Sequence, residues 1–136
     1  MSLTPKSRAV IEECAARSHA GTIDFGSVVQ KLTGCGVESY HADYRGAALT
    51  YYLPDGATHT VALQAPPLPV ADAFDQEAVH AAVRGAQRGE VLYSEFMRRT
   101  MDAGCVGYMV WIAGRHVQYL GRRGEVHIER FPGQQD

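Results

Sequence analysis

Laid over itself with a shift of 68 positions and no gaps, the sequence matches Gly21 with Gly89, Gly36 with Gly104, Tyr40 with Tyr108 and Gly46 with Gly114. Further along, Tyr51 meets Tyr119, Gly56 meets Gly124 and His59 meets His127. Conservative pairs fill the intervals: Ile23 with Val91, Phe25 with Tyr93, Lys31 with Arg99, Leu49 with Val117. Four of these seven identities over residues 21–61 are glycines at breaks in the pattern, where the backbone needs conformations that other residues resist. A repeat of this length points to a duplicated supersecondary unit. Whatever the chain folds into, two copies must share it.

Each copy reads as two helices followed by three strands. Thr4 can cap a first helix with Pro5 at its first position, where a missing N–H costs nothing. Val10, Ile11, Cys14 and Ala15 then line one face to about Ser18. A second helix is expected over about Gly26–Cys35, with Val28, Val29 and Leu32 inward and Gly36 as a left-handed stop. In the second copy Asp75 begins a helix to about Arg88, and Ser94–Ala103 forms the next, burying Phe96, Met97 and Met101 before Gly104. After each stop come three strands, broken at Arg45-Gly46 and Asp55-Gly56, then at Ala113-Gly114 and Arg123-Gly124. The expected fold is α+β: two tandem α-α-β-β-β repeats, antiparallel three-stranded meanders packed on helix pairs. Residues 1–136 are expected to be a single domain, with repeats at about 4–63 and 72–131 joined by a Pro-rich connector, 64–71. Whether the two meanders fuse into one sheet is not written in the sequence.

Two-residue turns would place Tyr40 opposite Tyr51 and Tyr51 opposite Thr60, and likewise Tyr108, Tyr119 and Ile128. That face, with Val106, Val110, Ile112, Val117 and Val126, is apolar and is expected against the helices. The other face would carry Ser39, His41, Asp43, Thr50, Tyr52 and His59, then Met109, Trp111, His116, Gln118, Leu120, His127 and Glu129. His41 and Asp43, two apart on one strand, point the same way. A His beside a carboxylate can act as a general base, and two His with an acid can hold a metal. The catalytic candidates are therefore His41, Asp43 and His59; the ligand-binding candidates are Tyr52, Trp111, His127 and Glu129. No motif fixes these groups at ligand distance, so neither a metal nor a cofactor is assigned. His59 and His127 are expected to lie far apart in structural roles, and His80 on the surface of its helix.

Composition excludes several classes. With 13 Lys+Arg against 15 Asp+Glu, a net charge of −2 gives no basis for neutralising nucleic-acid phosphates. No run approaches the roughly 18 apolar residues of a membrane span, and the first residues lack the pattern of a signal peptide. Cys14, Cys35 and Cys105 make an odd count without a Cys-x-x-Cys pair, which suits reduced thiols and a cytoplasmic setting.

Several runs resemble a known family: Ser18-His19-Ala20-Gly21-Thr22, Tyr51-Tyr52-Leu53-Pro54-Asp55-Gly56, Ala103-Gly104-Cys105-Val106-Gly107-Tyr108, and the ending Gly124-Glu125-Val126-His127-Ile128-Glu129-Arg130-Phe131-Pro132. They are similar to a small bacterial domain of unknown function often labelled "phage envelope protein" and grouped as YdfO-like. Gly26 departs from it, standing where that family has Pro at a helix start. The resemblance implies a cytosolic α+β domain and brings no activity, cofactor or site residue with it. Two functions then compete. The first is a non-catalytic module that binds a protein partner, or itself, through sheet surface or edges. The second is a small-molecule-binding domain or minor enzyme using the His41/Asp43/His59 face, which needs a pocket of about 300 Å³ or more.

Overall fold

The computed structural model describes residues 2–132. Helices α1 (Pro5–Ala20) and α2 (Phe25–Gly34) lead into strands β1 (Ser39–Asp43), β2 (Ala48–Tyr52) and β3 (Thr58–Ala62). Helices α3 (Gln76–Gln87) and α4 (Tyr93–Asp102) lead into β4 (Cys105–Trp111), β5 (His116–Gly121) and β6 (Val126–Arg130). The order α-α-β-β-β thus occurs twice. The chain is α+β.

Local chemistry accounts for the helix boundaries. Thr4 Oγ1 accepts the Ser7 N–H at 3.1 Å, while Ser7 Oγ accepts the Thr4 N–H at 2.7 Å, closing a reciprocal cap ahead of Pro5. Asp24 caps α2 through Ser27 N–H, and Asp75 caps α3 through Ala78 N–H. Leu92, which matches Asp24 in the repeat, supplies no side-chain cap to α4. The left-handed residues recur at the same shift: Gly21 and Gly89 (φ 74 and 74), Gly36 and Gly104 (90 and 92), Gly56 and Gly124 (91 and 84). Even Ala47 and Arg115, which are not glycines, share φ of 54 and 58. The duplication is therefore a duplication of backbone.

All six strands form one antiparallel sheet in the order β3-β2-β1-β4-β5-β6. The two meanders join through β1 and β4, with Tyr40 opposite Val110 and Ala42 opposite Tyr108. That register puts a pseudo-twofold axis through the His41/Met109 pair. The helices cover one face, where Tyr40, Leu49, Tyr51, Tyr108, Val110, Val117 and Tyr119 are buried with Ile11, Leu32, Val79, Phe96 and Met97. Tyr40 opposite Tyr51, and Tyr108 opposite Tyr119, are as the sequence predicts.

The outer strands differ from expectation. Tyr51 faces His59 rather than Thr60, and Tyr119 faces His127 rather than Ile128. Tyr52 accordingly faces Thr58, not His59. The reason is loop length. The Leu53 N–H donates to the Ala57 carbonyl at 2.9 Å, enclosing three residues rather than two, and Gly121 N–H bonds Glu125 in the same way at 2.8 Å. Gly56 and Gly124 occupy the left-handed position that closes such a loop. One extra residue moves every side chain of the next strand to the opposite face. His59, His127 and Glu129 therefore lie under the helices, while Val126 and Ile128 stand on the open face.

Gly104 sits at the junction between α4 and β4, where its φ of 92 excludes ordinary side chains and a Cβ would run into the Ala73 carbonyl. Gly104→Ala is expected to cost roughly 2–4 kcal/mol, since left-handed strain and the displaced backbone add together. Urea unfolding measures it; a loss below about 1 kcal/mol would mean the junction relaxes without strain.

Candidate functional site

A cavity of about 680 Å³ lies between the helices and the sheet. Its lining pairs up across the repeat: Ile23 with Val91, Phe25 with Tyr93, Val28 with Phe96, Tyr40 with Tyr108, Leu49 with Val117, Tyr51 with Tyr119. The two copies thus line it jointly. The loops between α1 and α2 and between α3 and α4 meet there, with Gly21 packed near Leu92. Leu92 and Phe25, both exposed apolar side chains in its lining, mark the rim.

Its walls are aromatic. Tyr40 stacks on Tyr51 at 5.1 Å between ring centres, and Tyr108 lies 5.7 Å from Tyr119 and 6.4 Å from both Tyr40 and Phe96. Hydroxyls of Tyr93 and Tyr108 share a 2.7 Å hydrogen bond. The hydroxyls of Tyr40, Tyr51 and Tyr119 have no protein partner among the described residues, yet every fully enclosed side-chain nitrogen or oxygen there is bonded. These three oxygens must therefore border the cavity's free space. Burial pushes the pKa of each well above the usual phenol value, so all three are neutral O–H groups able to donate or accept. Cys14 also lines the cavity, but burial and the neighbouring Glu13 raise its pKa, which leaves it a protonated, poor nucleophile.

A polar cluster borders it. Glu129, which lines the cavity, accepts on the single oxygen Oε2 from His80 Nδ1 and from His127 Nε2, each at 2.6 Å. Gln76 Nε2 meets His127 Nδ1 at 2.9 Å, and Arg84 Nε donates to His80 Nε2 at 3.4 Å. Burial raises the Glu129 pKa, while the hydrogen bonds and charge of His80 and His127 lower it; the net effect holds this carboxyl below its usual value. In the first repeat the equivalent of His127 is His59, which bonds Glu12 at 2.9 Å. Glu12 in turn is the equivalent of His80.

The candidates chosen from sequence are divided by this geometry. His41 and Asp43 lie on the open face, where Asp43 Oδ1 accepts the Gly46 N–H at 3.0 Å and serves its turn. His59 lies on the covered face, so the three do not meet. Tyr52 and Trp111 are on the open face, Trp111 donating to Gln118 at 2.8 Å, whereas His127 and Glu129 are buried beneath α3. His59 and His127 stand on opposite edge strands of the six-stranded sheet, far apart as expected. Sequence reasoning missed His80 and Gln76, which meet Glu129 and His127 only once the β6 register is known. It also took the tyrosines for packing alone.

A family model described as a protein of unknown function, DUF1398, matches residues 15–130. The chain belongs to the DUF1398 family. That match takes in the end of α1, every later helix and strand, and the cavity lining from Ala15 to Arg130. No curated protein matches this DUF1398 member.

Proposed function

We propose that this DUF1398 protein is a small-molecule-binding domain that holds an apolar ligand bearing a polar group in the cavity between its repeats. The observation that carries this reading is the set of three unpartnered tyrosine hydroxyls in an aromatic cavity of about 680 Å³. Ligand sites are commonly of this size, mostly apolar, with a few polar groups that orient the guest. A hydroxyl that faces the cavity's free space can donate to, or accept from, a polar atom of a bound guest. Residues 1–136 act on this reading as one domain, because neither repeat alone lines the space. The three cysteines are unpaired among the described residues, which fits a cytoplasmic protein. A phage-envelope role draws nothing from the cavity, and no described helix is long and apolar enough to cross a membrane.

Titration with the apolar dye ANS is the test. Saturable one-site fluorescence is expected at native pH, and Ala86→Trp, which adds bulk from an exposed position at the rim, should abolish it. Tyr51→Phe should leave stability within about 0.5 kcal/mol, because no protein hydrogen bond is lost, yet weaken binding of phenol-sized polar guests. Absence of saturable binding, or binding indifferent to Ala86→Trp, would sink the proposal. Self-association is the second reading, favoured by Trp111, Val126 and Ile128 exposed together on the open sheet face. Sedimentation of the wild type against Ile128→Lys separates the two, since only the self-associating protein changes mass.

A further inference from the structure

We propose that His80, His127 and Glu129 form a binding site for a divalent transition-metal ion, with zinc the best fit to the donors. This inference stands apart from the cavity reading and would survive its failure. One ring nitrogen of His80, one of His127 and a carboxylate oxygen of Glu129 all lie within 4.8 Å of one another, and His80 Nδ1 and His127 Nε2 each stand 2.6 Å from Glu129 Oε2. Two imidazoles and one carboxylate suit zinc and its neighbours rather than calcium or magnesium, which prefer oxygen alone. Three protein donors would leave one position of a tetrahedral ion open. Glu129 lines the cavity, so the ion would stand at its wall.

Convergence is the geometric argument. Both imidazoles point at the same oxygen, Oε2, from two different elements, α3 and β6. Bond lengths near 2.0–2.2 Å imply donor separations of roughly 3.3 Å around a tetrahedral ion. The present 2.6 Å contacts must open slightly, and the half-exposed His80 side chain has room to retreat. The two buried partners need not move far. Gln76 already holds the far nitrogen of His127 at 2.9 Å, the outer hydrogen bond that ligating histidines use, and an amide flip suits either protonation state. Arg84 must release His80 Nε2, a long contact from an exposed side chain.

The repeat supplies an internal control. At the equivalent positions the first copy has Glu12, His59 and Val61, where one imidazole and one carboxylate satisfy each other. The second copy has His for Glu12 and Glu for Val61. Those two differences turn a simple hydrogen-bonded pair into a three-donor set. Packing alone would have been served by the first arrangement.

Metal-stripped protein titrated with zinc chloride, and separately with cobalt chloride, decides the matter. One ion per chain is expected, with a rise in melting temperature on zinc and cobalt absorption of a four- or five-coordinate site. His80→Ala, at a half-exposed position, should weaken uptake about tenfold or more without unfolding the protein. Glu129→Gln should do the same, and His59→Gln should change nothing. If Glu129→Gln fails to fold, His80→Ala alone decides. Absence of saturable uptake, or uptake that His80→Ala leaves intact, overturns the proposal and leaves the cluster a hydrogen-bonded one.

Discussion

Above pH 10 the protein is expected to lose stability at up to about 8 kcal/mol per pH unit and to unfold before about pH 12. The cause is the concentration of tyrosines beneath the helices. Burial raises the pKa of Tyr40, Tyr44, Tyr51, Tyr93, Tyr108 and Tyr119 above the ordinary value of 10.0, Tyr93 to about 12. In the unfolded chain these six phenols ionise near 10, whereas the folded chain keeps them protonated. The unfolded state then binds fewer protons, so stability falls as pH rises. Below the unfolded pKa both states are neutral and the effect vanishes. Each such group contributes about 1.4 kcal/mol per pH unit, against a total stability for a domain of this size of roughly 5–15 kcal/mol. Circular dichroism and absorbance near 295 nm, followed together, check this. Tyrosinate from these six should appear in one cooperative step with loss of structure. Gradual ionisation around pH 10 with the fold intact would show that the tyrosines are wet.

The fold was legible where the constraint is local. Gly36 and Gly104 announce helix ends because a left-handed residue is required at each, and glycine meets that need at least cost. Asp75 and Thr4 announce helix starts through their caps, whereas the Asp24 cap of α2 went unread. The β1–β4 seam had no such signal. Which meander edges pair depends on how two distant surfaces fit, and no residue near Tyr40 or Val110 encodes it alone.

The candidate site was illegible for a sharper reason. Asp55-Gly56 reads as a two-residue turn, but Pro54 joins it in a three-residue loop. The same holds for Arg122 ahead of Arg123-Gly124. Counting one residue too few put His127 and Glu129 on the open face, away from His80. Both residues were singled out from sequence, yet their partner lay on a helix that the mistaken register kept apart. The tyrosines failed differently. Their burial was readable from alternation, but an open pocket between two repeats depends on how the helix pairs stand off from the sheet. Only the assembled backbone shows that open pocket.

Tyr108→Ala is expected to cost roughly 3–5 kcal/mol, which for a marginally stable domain approaches complete unfolding. Tyr108 is next to the pseudo-twofold axis on a central strand and is buried. Its ring meets those of Tyr40, Tyr44, Phe96 and Tyr119 at 5.7–6.4 Å, so its removal strips four aromatic neighbours of a contact at once. The adjoining cavity makes the loss harder to repair, since neighbours that already border empty space have no packing pressure to fill a larger one. Tyr108→Phe separates the ring from its hydroxyl. It gives up only the 2.7 Å bond to Tyr93, whose hydroxyl can turn toward the cavity, and should cost about 1 kcal/mol. Tyr52→Ala on the open face is the counterpart, expected near 1 kcal/mol because that ring is only half buried. Urea unfolding of the three variants ranks them. Should Tyr52→Ala prove the costliest, the helices would have to cover the opposite face of the sheet. Should Tyr108→Phe match Tyr108→Ala, the hydroxyl pair rather than the aromatic cluster would hold the two repeats together.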